Sequence, residues 1–178
     1  MKAICLIDGS FIYNVLQKLD GEPKKFNFDK FRTHMLDKYP NSIRLNYYNV
    51  VLEVESKEND SKFQTVRPLA DWLKYNGYTV KTLTTQNVSY IGLIARGFIM
   101  SSMSIDGINA VIDSNVDIVY ILASVPELKG LIEDLKNKGA YVVLLQSEEY
   151  EANASLRQSV DEVVNLESMG NFLERVED

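Results

Sequence analysis

The sequence predicts an α/β fold: a three-layer sandwich whose mostly parallel central sheet is covered by helices on both faces. Three observations carry this. Short apolar runs rich in branched residues alternate with segments of helical period, the pattern of a parallel sheet with crossover helices. The runs at 3–7, 117–122 and 141–145 are apolar without alternation, as strands buried on both faces are. The 178 residues, 46% hydrophobic and 25% charged, suit one domain, taken as residues 1–178.

Ala3 to Ile7 reads as the first buried strand, ended by Asp8-Gly9. Phe11, Val15, Leu16 and Leu19 then give a helix opened by Ser10 and closed by Asp20-Gly21, with Asp8 or Ser10 as its cap. Phe28, Phe31, Met35 and Leu36 recur at helical spacing until Tyr39-Pro40-Asn41. Ile43 to Leu52 is a long strand, with a bulge expected near Asn49. Residues 56–61 read as a loop. Phe63, Val66, Leu69, Ala70 and Leu73 form a helix that stops at Asn76-Gly77. Tyr78 to Leu83 alternates as a strand.

Residues 87–103 are apolar without clean periodicity, compatible with a hairpin or a loose helix, and a short helix follows over 105–112. Asp117 to Leu122 is a buried strand, and Pro126 to Lys138 a helix with proline in its first turn and Gly139 past its end. Tyr141 to Leu145 is a strand, Ala152 to Leu156 a short helical piece, and Glu162 to Leu166 the last strand. Residues 169–176 can form a closing helix.

Composition excludes several classes of function. With one histidine, His34, and one cysteine, Cys5, a His/Cys zinc site cannot be built, so any metal must be held by oxygens, as magnesium or manganese is. There is no Walker loop and no glycine-rich dinucleotide turn. Ser124 lacks the glycine flanks of a nucleophile elbow. A receiver domain would show paired acids after the first strand and a late lysine, and neither is present. No apolar run approaches the roughly 20 residues of a membrane span, so a cytoplasmic location and no membrane partner are expected. The net charge of −6 speaks against strong nucleic-acid binding. Yet Lys24, Lys25, Lys30, Arg32, Lys38 and Arg44 enrich one stretch in cations, read either as a phosphate contact or as a solvated helix face. The apolar 90–100 segment raises a self-association surface, hence a homo-oligomer, beside the alternative of a buried insert.

In a parallel sheet, ligands bind beyond the carboxyl ends of the strands. Asp8 stands there, suited either to a cation or to capping the next helix. Ile7-Asp8-Gly9-Ser10-Phe11 resembles the opening of NYN domains, a PIN-like nuclease superfamily of Rossmannoid fold. Arg44-Leu45-Asn46-Tyr47-Tyr48 is similar to the family's aromatic second strand, and Ser104-Ile105-Asp106-Gly107 to its Lys-Gly-Val-Asp motif. Asp117 to Leu122 resembles the strand before its acidic loop, and Val160 to Leu166 its ending.

The resemblance implies a phosphodiesterase acting mainly on RNA, with Mg2+ or Mn2+ held by clustered carboxylates that activate water. Carried onto this chain, it makes Asp8, Asp106 and Glu127 the catalytic and metal-binding candidates. Asp113 is a more distant match, and Ser10, Lys24, Lys25 and Arg44 are the nucleic-acid contacts. Each acid also has a structural role open to it: Asp106 at a helix start, Glu127 in a first turn after Pro126, Asp113 at a helix end, Asp161 as a cap or turn residue. Tyr47-Tyr48 offers a ring for base stacking, and Trp72 suits core or interface packing. The chain departs from the pattern where the family has two acids at the strand end: Val125 replaces the first and Glu127 the second. Met103 stands where the family has lysine. The alternative to a ribonuclease with a reduced carboxylate cluster is therefore an inactive NYN domain that binds RNA or a protein partner.

Overall fold

The computed structural model describes residues 1–19, 24–52, 66–86 and 89–175. The sheet consists of β1 (Ala3–Asp8), β3 (Ile43–Leu52), β4 (Thr79–Thr85), β5 (Ile118–Leu122), β6 (Tyr141–Gln146) and β7 (Glu162–Asn165). Their order is β4-β3-β1-β5-β6-β7, and every neighbouring pair runs parallel. This is the three-layer sandwich the sequence predicts. β1 lies between β3 and β5, where the order reverses, and all six of its residues are buried. Its last residue, Asp8, therefore ends at the switch point where such sheets bind ligands.

The helices α1 (Gly9–Lys18), α2 (Phe28–Lys38) and α3 (Val66–Tyr75) accompany the strands on the β4 side, and α4 (Ile91–Ser114), α5 (Lys129–Asn137) and α6 (Ala154–Ser159) follow on the return. Right-handed crossovers put the two sets on opposite faces. The stop signals read from the sequence act as expected at Gly77 and Gly139, whose φ values of 83° and 88° suit glycine. Asp20-Gly21, Phe63 and the 56–61 loop lie outside the described residues.

Four elements differ from the sequence reading. Residues 91–103 of the ambiguous stretch and the short helix at 105–112 belong to one 24-residue helix, α4, while 87 and 88 lie outside the described residues. Ala95, Ile99, Met103, Gly107 and Ala110 are buried on one of its sides, but Leu93, Met100, Ile105 and Ile112 are apolar and exposed, so amphipathic contrast is weak. By length and hydropathy α4 could span a bilayer, yet it packs on β1 and β3. The bulge expected near Asn49 is absent: Asn49 pairs with Thr82 in an unbroken ladder from Asn46 to Leu52. Its side chain is occupied locally, accepting from the Val50 amide at 2.7 Å and donating to the Tyr47 hydroxyl at 3.1 Å.

The helix over Pro126 to Lys138 begins as a 3-10 turn at Pro126–Leu128 before α5 proper. The closing helix at 169–176 does not form over its described part. After the single turn α7 (Leu166–Met169) the chain extends as β8 (Leu173–Arg175), antiparallel to β2 (Lys24–Phe26). Phe172 draws it there, packing against the rings of Phe26, Phe31 and His34 at centroid distances of 6.2, 5.4 and 5.6 Å.

Phe172 thus pins the end of the chain to the β2–α2 segment. Truncation, Phe172→Ala, should cost about 3–5 kcal/mol through lost burial and a cavity between aromatic rings. Urea denaturation checks this: the midpoint should fall while the slope is unchanged.

Candidate functional site

Asp8 closes β1 and caps α1, its Oδ1 accepting from the Ser10 amide at 2.8 Å, and it is 3% exposed. Gly9 follows because the space beneath α1 is filled. A Cβ there would lie 2.3 Å from the Tyr47 hydroxyl and 2.6 Å from Asn49 Nδ2. Tyr47 is buried, and its phenol is pushed up to about 12 by burial, with the charge of Asp8 adding to the Asn49-opposed shift. The Asp-Gly pair is thus explained by a helix cap and a close approach of an aromatic ring.

On α4, one turn beyond Met103, Asp106 faces β3 and β4. Its Oδ2 accepts from the Tyr48 hydroxyl at 2.7 Å and Asn46 Nδ2 at 3.2 Å, and its Oδ1 from Lys81 Nζ at 2.5 Å. The Asp106 side chain is 13% exposed. Tyr48 registers with Asp8 on one side and Lys81 on the other, so it stands at the centre of this constellation. Burial first, and then its bond to Asp106, drive its phenol well above the ordinary range. Tyr47 and Tyr48 are both buried, which removes both as base-stacking rings. Met103, at the family's lysine position, is fully buried.

Glu127 lies in the 3-10 turn after β5, and pairs with Arg96 of α4 at 3.4 Å, both half exposed. Asp113 is exposed in the last turn of α4, beside the left-handed Asn115 at φ 50°. Asp161 has its structural role: it accepts from the Val142 amide at 2.8 Å and pairs with Lys136 at 3.1 Å. Burial alone would raise its carboxyl, but those two partners outweigh burial and hold it below the usual range.

Asp106 thus bonds the Tyr48 hydroxyl, Asp8 is the register partner of Tyr48 on β1, and Glu127 has a partner of its own. Among the described residues, no group of three Asp, Glu, His or Cys side chains could hold a metal ion. A dication needs several anionic oxygens turned toward one point. Here Asp8 turns an oxygen to a backbone amide, Asp106 is shared among three donors, and Glu127 faces an arginine. This donor set does not fit Mg2+ or Mn2+.

The phosphate-binding candidates are dispersed as well. Ser10 is in the first turn of α1. Lys24 shares a groove with Glu148, Glu149 and Glu167, and another with Lys25, Glu174 and Arg175. Arg44, at the start of β3 and bonded to Ser114 at 3.3 Å, is four strand residues from Tyr48, about 13 Å along the sheet. Trp72 is 43% exposed on α3, which rules out a core role. The residue missed by the sequence reading is Lys81. Its signal was its phase: it lies two positions from Leu83, which packs with Ile91 and Phe98 of α4 against Val50 and Ala95.

The NYN domain model matches residues 2–167. The chain belongs to the NYN domain family. No curated protein matches the sequence. The crystal structure of a protein of unknown function from Vibrio parahaemolyticus shares the fold, with a TM-score of 0.61 at 13% identity over 97% of this chain and 96% of that one. The NYN fold is of the PIN-like nuclease type, whose members usually work with divalent metals. This NYN domain keeps the family's first and middle acids in place and surrounds them with protein donors.

The close fit at Gly9 predicts a specific coupling. Gly9→Ala should cost about 1–3 kcal/mol by overpacking against Tyr47. Tyr47→Phe, which removes the clashing hydroxyl, should recover part of that loss. Thermal denaturation of the single and double variants measures the coupling, and additive losses would show that the contact is not the cause.

Proposed function

We propose that this NYN domain keeps the nuclease fold without metal-dependent hydrolysis and acts as a protein-interaction module. The observation that carries the reading is the carboxylate of Asp106. Two-metal and one-metal phosphodiester hydrolysis both need carboxylates free to take a cation and so activate water. Asp106 already accepts from Lys81, Tyr48 and Asn46, so an ammonium group supplies the positive charge a metal would bring. To admit a dication here, Lys81 would have to leave and two further donors would have to turn away. Val125 at the strand end contributes no ligand, and Glu127 is engaged with Arg96.

RNA is the less favoured partner on electrostatic grounds. Backbone binding draws on several cations along one track. Here Lys30 is paired with Glu174, Lys24 borders Glu148, Glu149 and Glu167, and Arg44 is at the far end of β3, so the cations form no single track. With a net charge of −6, the chain offers phosphate little attraction.

The test is cleavage of labelled single-stranded RNA with Mn2+ present, comparing the wild-type chain with Asp8→Asn. Asparagine preserves the helix cap, so both proteins should fold alike. The expected result is the same background rate from both. Cleavage by the wild type that drops at least tenfold in Asp8→Asn would establish a metal-dependent nuclease and overturn the reading.

A further inference from the structure

We draw no further inference here: the strongest candidate, the groove across the β2–β8 ribbon lined by Lys24, Lys25 and Arg175, also holds Glu174 and adjoins Glu148, Glu149 and Glu167, and nothing in the structure shows which ligand those mixed charges would select.

Discussion

A carboxylate enclosed between a helix and a sheet must be neutralised, and the way this chain neutralises Asp106 determines what the end of its sheet can do. Uncompensated burial of a charge is far costlier than any single contact. Three donors from two strands meet the two oxygens of Asp106: Asn46 and Tyr48 from β3, and Lys81 from the edge strand β4. That arrangement ties α4 to the sheet and aligns β4 with β3. It also occupies three of the roughly four lone-pair sites that a cation would draw on. One interaction thus supports the fold and carries the proposal that no dication binds here.

Asp8 tells the same story with a different partner. Its carboxylate satisfies an orphan amide at the start of α1, and the next residue must be glycine because Tyr47 fills the space above it. A residue pair that looks like a ligand and its hinge is accounted for by capping and packing. Two acids of the family pattern have stayed, and each has a structural partner in this fold.

Much of this was legible in the sequence, for identifiable reasons. Strands buried on both faces leave unbroken apolar runs, so β1, β5 and β6 were found with ends correct to about a residue. The positions of Asp8 and Asp106 followed from strand ends and motif order. What could not be read depended on pairing between distant residues. β2 and β8 have three residues each and exist because Phe172 meets Phe26 and Phe31. α4 was obscured because both its sides are apolar, which erases the 3.6-residue contrast that marks a helix. Lys81 reads only as part of an alternating strand, and its phase with Leu83 puts it on the α4 side without showing its partner. Carboxylate identity was thus visible, and carboxylate occupancy was not.

The most direct test is a crystal structure of the wild-type chain grown with millimolar MnCl2, with anomalous differences collected near the manganese edge. The account predicts Lys81 Nζ in contact with Asp106 and no anomalous peak within ligand distance, roughly 2.2 Å, of Asp8 or Asp106. A manganese peak bound to either carboxylate, with Lys81 displaced, would contradict it.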